Sequence, residues 1–414
     1  MPEHFHYEAG ALYCERIDLA RIAARAGTPC YLYSTAAILE AYRAYEEGLD
    51  GVAHRVCYAI KANSNLAVLA LLVKAGAGFD IVSGGELFRA IRAGADPAGI
   101  VFSGVGKTAP EIEYALDAGI HAFNCESEEE IALLDALAAR RGGKARAAVR
   151  INPDVAGETH PYISTGLREH KFGVAIAEAE GVYERARRFA NVALDGVSCH
   201  IGSQLDPEPL LEALDRVLEL METLRANGHT ITRLDLGGGL HVPYKPSEPT
   251  PDIRGFAARI CEKVRNKGVS VTIEPGRSIV AAAGVLLTRV LYRKRNGGKE
   301  FVIVDAGMND LIRPALYRSH HEIIPVRQNG RPNIVADVVG PVCETGDFLA
   351  RHREVADALP GDLLAVTTAG AYGFVAASNY NARPRPAEVL VDGENWRVVR
   401  PRESFEDLIR GEQI

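Results

Sequence analysis

Between about residues 55 and 275, short apolar runs alternate with stretches whose apolar residues recur at helical spacing, which predicts a parallel α/β architecture. Eight runs read as strands: 55–60, 79–82, 100–102, 121–124, 147–151, 194–199, 233–236 and 269–273. Between them 65–75, 85–93 and 207–226 read as helices, the last with apolar residues at i, i+3, i+4 and i+7. Eight such units in roughly 220 residues fit a (β/α)8 TIM-type barrel, with a doubly wound open sheet as the alternative. The barrel is preferred because Lys61, Ser83, Asn152, His200, Gly237 and Glu274 each follow the C-terminal end of a different predicted strand. In a barrel those ends converge on one face.

Beyond about residue 283 the pattern changes to β-type runs at 301–304, 333–339, 363–367 and 388–391, separated by turn residues. These predict a second, mostly antiparallel β domain, with Asn296-Gly297-Gly298 as a hairpin turn. The N-terminal pieces 11–17 and 30–33 are also strand-like and are expected to pair with it. The predicted organisation is therefore α/β plus β, with a barrel over 35–283 and a β-rich domain formed by 1–34 and 284–414.

A length of 414 residues with 47% hydrophobic content allows two such domains. The net charge of −7, with no run of Lys or Arg, argues against a nucleic-acid partner. No uninterrupted apolar stretch of about 18 residues occurs, and Met1-Pro2-Glu3-His4 lacks a signal pattern, so no membrane association and a cytoplasmic location are expected. Seven scattered cysteines without a Cys-x-x-Cys suggest neither a disulfide framework nor a zinc ribbon; six read as small buried hydrophobes, Cys343 as the exception. Gly104-Val105-Gly106-Lys107-Thr108 lacks the first glycine of a P-loop and reads as a barrel loop. His4, His6 and the His320-His321-Glu322 run have no partner at metal-ligand spacing, and no metal site is expected.

Lys61 closes an apolar strand just where a helix pattern begins, in Tyr58-Ala59-Ile60-Lys61-Ala62-Asn63. Apolar burial there would penalise the ammonium form and leave an amine able to condense with an aldehyde such as pyridoxal phosphate. Gly237-Gly238-Gly239 follows the strand Leu234-Asp235-Leu236; residues without a Cβ let backbone N–H groups approach a phosphate, with Ser203, Gly276 and Tyr372 as further donors.

Lys61 and the glycine run are joined, in chain order, by Ser198-Cys199-His200-Ile201-Gly202-Ser203-Gln204, Glu274-Pro275-Gly276-Arg277, Gly340-Pro341-Val342-Cys343-Glu344-Thr345-Gly346-Asp347 and Gly370-Ala371-Tyr372-Gly373. This set resembles the fold-type III pyridoxal-phosphate decarboxylases from about Thr28 to Ala382. The resemblance implies pyridoxal 5′-phosphate as cofactor, bound through Lys61, with the phosphate held by Ser203, Gly237, Gly238, Gly239, Gly276 and Tyr372. It implies His200 stacked on the cofactor ring and Glu274 against the ring nitrogen, where a carboxylate keeps the ring a strong electron sink. Racemases of this fold type place an arginine there, so Glu274 points to decarboxylation.

Arg277, Arg313, Tyr317 and Tyr372 are expected to grip the substrate, two guanidiniums suiting a carboxylate that stays behind. Glu344 would meet a distal ammonium; ornithine decarboxylases carry Asp after the corresponding cysteine. The implied reaction is decarboxylation of meso-2,6-diaminopimelate to L-lysine, the last step of lysine biosynthesis. Cys343 corresponds to a cysteine lent across a homodimer interface as proton donor. Family members more often carry Ser at Thr345 and Gly or Ser at His241. The alternatives are a decarboxylase of arginine, ornithine or carboxynorspermidine, and a non-catalytic barrel homologue.

Overall fold

Strands with few polar residues suit a parallel sheet covered on both faces. Gly78–Ile81 is buried at all four positions and Ala145–Asn152 at seven of eight. In the computed structural model, which describes residues 4–155, 171–328 and 330–414, eight such strands close into a barrel. They are β1 (His54–Ala59), β2 (Gly78–Ile81), β3 (Ile100–Phe102), β4 (Ala122–Cys125), β5 (Ala145–Asn152), β6 (Val192–Cys199), β7 (Arg233–Asp235) and β8 (Ser270–Ile273). Every neighbouring pair is parallel, and β8 closes on β1 with Val271 opposite His54. Closure excludes the open-sheet alternative.

The helices between strands follow local sequence. Asn65 caps Leu66–Ala75 by accepting a hydrogen bond from the Ala67 N–H at 2.9 Å, and Gly76, at φ +96°, ends it. Glu208–Ala226 buries Leu211, Leu214, Val217, Leu218, Met221 and Leu224 on one face, the predicted stripe. The barrel belongs to a compact unit made of Ala41–His241 and Pro251–Gly276.

The other unit comprises Met1–Glu40, Val242–Thr250 and Arg277–Ile414. Its main sheet runs Phe348–Ala356, Asn333–Val339, Lys299–Val304, Gly284–Asn296, Cys30–Ser34, Ala387–Asp392, Asn395–Arg400. Most pairs are antiparallel; Lys299–Val304 with Asn333–Val339, and Cys30–Ser34 with Ala387–Asp392, are parallel. Cys30–Ser34 thus pairs with this domain as the sequence predicts. Gly297 and Gly298, at φ +57° and +81°, form the expected hairpin turn. The stretch 11–17 departs from expectation. It forms two strands, Ala11–Cys14 and Ile17–Asp18, because the chain reverses at Glu15, whose φ is +51°, and they join Phe5–Glu8 in a small separate sheet. Leu12, Cys14, Ile22, Leu32, Val285 and Val389 pack in the core of this unit.

Candidate active site

At the C-terminal ends of β1, β2, β7 and β8 stand Lys61 and the acids Asp80, Asp235 and Glu274. Lys61 follows β1, and its Nζ donates to Asp80 Oδ2 of β2 at 2.5 Å. The Lys61 side chain is 35% exposed while that of Asp80 is fully buried. An ion pair therefore surrounds this amine, not the apolar pocket expected from the sequence. Glu274, just after β8, is buried; its Oε1 accepts from Ser103 Oγ at 3.1 Å and Asn124 Nδ2 at 3.3 Å. The same Asn124 Nδ2 donates to Asp235 Oδ2 of β7 at 2.8 Å. Burial pushes the Glu274 carboxyl well above the usual range, and the Asp235 and Asp80 carboxylates push it further, against Lys61. Burial also raises Asp235, opposed by hydrogen bonds from Asn124 and the Gly237 N–H.

The glycine run lies between β7 and this acid. Gly237, at φ +62°, donates its N–H to Asp235 Oδ1 at 2.9 Å and accepts from the Glu274 N–H at 2.7 Å. A Cβ at Gly237 would stand 2.6 Å from His200 Nδ1, and one at Gly239, at φ +131°, 2.5 Å from the Gly202 carbonyl oxygen. Only glycine fits here. His200, after β6, accepts the Gly238 N–H at Nδ1 over 3.2 Å. Burial, together with the Arg150 and Lys61 cations, holds its pKa well below the ordinary value, so the ring is neutral. Ser203 is half-buried, and Gly276 is buried beside Ala59 and Ala62.

Arg277, Arg313, Tyr317, Cys343, Glu344 and Tyr372 belong to the β-rich unit. Arg277 Nη1 donates to Tyr244 Oη at 2.7 Å, and its guanidinium lies 4.8 Å from the Tyr372 ring centroid. Arg313 lies 4.9 Å from the Tyr244 ring centroid. Burial pushes the His321 ring down to about 3, the Arg313 cation adding to the effect. Neutral His321 donates from Nδ1 to the Thr367 carbonyl at 2.9 Å, leaving Nε2 to accept from Arg313 Nε at 3.3 Å. The His320-His321-Glu322 run thus orients an arginine. Among the described residues no group of three or more His, Cys, Asp or Glu is placed to hold a metal ion.

Asp347 folds the loop that bears Cys343, accepting the Val342 and Met308 N–H groups at 2.6 Å each. Cys343 and Glu344 are exposed, whereas the other six cysteines are buried. The Cys343 N–H donates to Asn381 Oδ1 at 2.7 Å.

The pyridoxal-binding domain of the pyridoxal-dependent decarboxylases matches residues 35–281. Diaminopimelate decarboxylase of Pseudomonas aeruginosa is 54% identical over 99% of this chain and 99% of its own length. The chain belongs to the diaminopimelate decarboxylase family. Two solved members carry L-lysine. That of Helicobacter pylori is 43% identical, with a TM-score of 0.91 over 95% of this chain and 98% of its own. That of M. jannaschii is 37% identical, with a TM-score of 0.92 over 100% of this chain and 98% of its own. The resemblance read from the motifs is borne out. Among the described residues no helix is long and apolar enough to cross a membrane.

The barrel residues suit the cofactor this family implies. An aldehyde would find the Lys61 amine, a phosphate would find glycine backbone after β7 and β8, where barrels commonly bind one, and a pyridine nitrogen would find a buried carboxyl. Among the described residues Asp80 Oδ1 and Asn124 Oδ1, buried at this end, have no hydrogen-bond partner. Sequence reasoning missed Asp80, Ser103, Asn124, Asp235 and Tyr244. The first four carried a signal, since a polar residue in or just after an otherwise apolar parallel strand needs a partner.

Proposed function

We propose that this chain decarboxylates meso-2,6-diaminopimelate to L-lysine with pyridoxal 5′-phosphate. The observation that carries the reading is Glu274, a buried carboxyl at the same barrel end as Lys61. The cofactor, when bound, supplies the electron sink for the bonding pair that departing carbon dioxide leaves behind. Lys61 Nζ would hold the cofactor through its aldehyde carbon and, when not so engaged, would be an amine able to carry a proton at this end of the barrel. Ser203, Gly237, Gly238, Gly239, Gly276 and Tyr372 hold the phosphate, and the neutral His200 ring stacks without placing a second positive charge on the site. Glu274 holds the ring-nitrogen proton. Arg277, Arg313, Tyr317 and Tyr372 bind the carboxylate that stays, and Glu344 the distal ammonium.

Cys343 Sγ–H protonates the carbon that has lost carbon dioxide. We assign this donor to a homodimer in which each subunit lends Cys343 and Glu344 to its partner, in keeping with their exposure. We also propose a cytoplasmic location and a cofactor-binding region at 35–283.

Release of carbon dioxide from meso-diaminopimelate, measured with and without added pyridoxal phosphate, tests the function. Turnover of arginine, ornithine or carboxynorspermidine in preference would overturn the substrate. Glu274→Gln should retain cofactor and lose about 2–4 kcal/mol of transition-state stabilisation, the scale of other electrostatic catalytic groups. That is roughly a 30- to 1000-fold fall in kcat. Unchanged turnover in a cofactor-loaded variant would contradict it.

Arg277→Met or Arg313→Met should weaken diaminopimelate binding by about 1.5–3 kcal/mol, the worth of hydrogen bonds to a charged group. Cofactor affinity should be unchanged. An equal fall in cofactor affinity would reassign the arginines to the phosphate or the fold.

A further inference from the structure

The carboxyl groups of Asp80, Asp235 and Glu274 stand at the barrel end that carries Lys61. Asp80 takes the lysine: Lys61 Nζ lies 2.5 Å from its Oδ2. Among the described residues no Lys or Arg forms a salt bridge with Asp235 or Glu274, which are 4% and 7% exposed. Two carboxylates that close and that dry cannot both be ionised. The donors decide which one keeps the charge. Asp235 accepts from Asn124 Nδ2 at 2.8 Å and from the Gly237 N–H at 2.9 Å. Glu274 Oε1 has the longer contacts, 3.1 Å from Ser103 and 3.3 Å from Asn124. The charge therefore belongs on Asp235 and the proton on Glu274, in the direction in which burial and the neighbouring carboxylate move Glu274.

The other titratable groups bearing on the pair cannot hold this proton in its place. Cys57 and Cys199 are buried and their thiols pushed up by burial, so both are neutral, and Lys61 is paired with Asp80. Asn124 is itself fixed. The buried ammonium of Lys107 donates to the Asn124 carbonyl at 2.7 Å and to Glu130 Oε1 at 2.6 Å.

We propose that Asp235 is a positioning residue that makes Glu274 a proton store for the cofactor ring. In the cofactor-free chain the two carboxyls share one proton, carried on Glu274. On binding, that O–H bond breaks and an N–H bond forms at the ring nitrogen, leaving Glu274 as the carboxylate that faces it. The ring is then protonated without taking a proton from solvent. This rests on the reading that Glu274 faces the ring nitrogen.

The test uses full-length chain stripped of cofactor and titrated with pyridoxal phosphate, at a pH at which the ring nitrogen of the free cofactor is unprotonated, by calorimetry in buffers of different ionisation enthalpy, which counts protons taken up. Asp235→Asn keeps an oxygen for the Gly237 N–H but removes the neighbouring charge that adds to burial in holding the proton on Glu274. The variant should take up more protons than the parent, up to about one more per site. Equal counts overturn the proposal.

Should the variant not fold, difference infrared spectra of the parent decide. The carbonyl stretch of a protonated carboxyl should be present in the cofactor-free chain, vanish on addition of cofactor, and be missing in Glu274→Gln. A band that is missing at the start, or that persists on binding, overturns the proposal. Failure of the underlying reading looks different, for then Glu274→Gln would leave the absorption spectrum of the bound cofactor unchanged.

Discussion

Replacing Lys61 with alanine should lower turnover by a factor on the order of 10³ to 10⁴, near the upper end for loss of a positioned proton-transfer group. The substitution removes the amine proposed to hold the cofactor and to carry protons at the site. It also strips Asp80 of its ion pair. An unpaired buried carboxylate destabilises by itself, so a loss of activity in Lys61→Ala alone is ambiguous. Lys61→Arg separates the two effects: a guanidinium still meets Asp80 but is no nucleophile. Both variants should lose turnover to a similar degree, with Lys61→Arg nearer the parent in thermal stability. Borohydride reduction of the loaded parent, followed by peptide mapping, should place the pyridoxyl adduct on Lys61. An adduct on another lysine, or appreciable turnover in Lys61→Arg, would refute the assignment.

The barrel was legible because parallel strands buried on both faces write themselves as short apolar runs. Predicted limits such as 100–102 and 194–199 lie within two residues of Ile100–Phe102 and Val192–Cys199. Chain reversals were less visible. Glu15 turns the chain in a left-handed conformation uncommon for a residue with a Cβ, and nothing in Ala11-Leu12-Tyr13-Cys14-Glu15 announces it.

At the candidate site, groups that need a special backbone or a strand-end position stood out: the triple glycine, Lys61 and Glu274. Groups that matter through their partners did not. Asn124 and Asp235 are 111 residues apart, and only closure of the barrel brings them together. The same holds for Lys61 and Asp80, where apolar neighbours in sequence suggested desolvation and the adjacent strand supplied a carboxylate instead. Those residues at least showed as polar positions in or beside apolar strands, whereas Tyr244 gave no signal at all. It comes from Val242–Thr250, a segment of irregular sequence that belongs to the β-rich unit although barrel residues flank it on both sides.

Co-refolding Lys61→Ala chains with Cys343→Ala chains should restore activity that neither has alone. Cys343 and Glu344 stand exposed on a loop whose shape is set within its own unit by Asp347, and the proposed dimer would have each subunit lend them to its partner. In a symmetric dimer with shared sites, the Lys61→Ala chain lends an intact Cys343 to its partner's barrel, where Lys61 is also intact. Each heterodimer then has one site complete and one site missing both residues. Random pairing of equal amounts makes about half of the dimers mixed, so recovery should approach about a quarter of the parent activity. Sites built within one chain forecast the opposite, since every site would lack either Lys61 or Cys343 whatever its partner. Heterodimers verified by mass spectrometry and yet inactive would eliminate the shared site and leave Cys343 to be tested as a donor within its own chain.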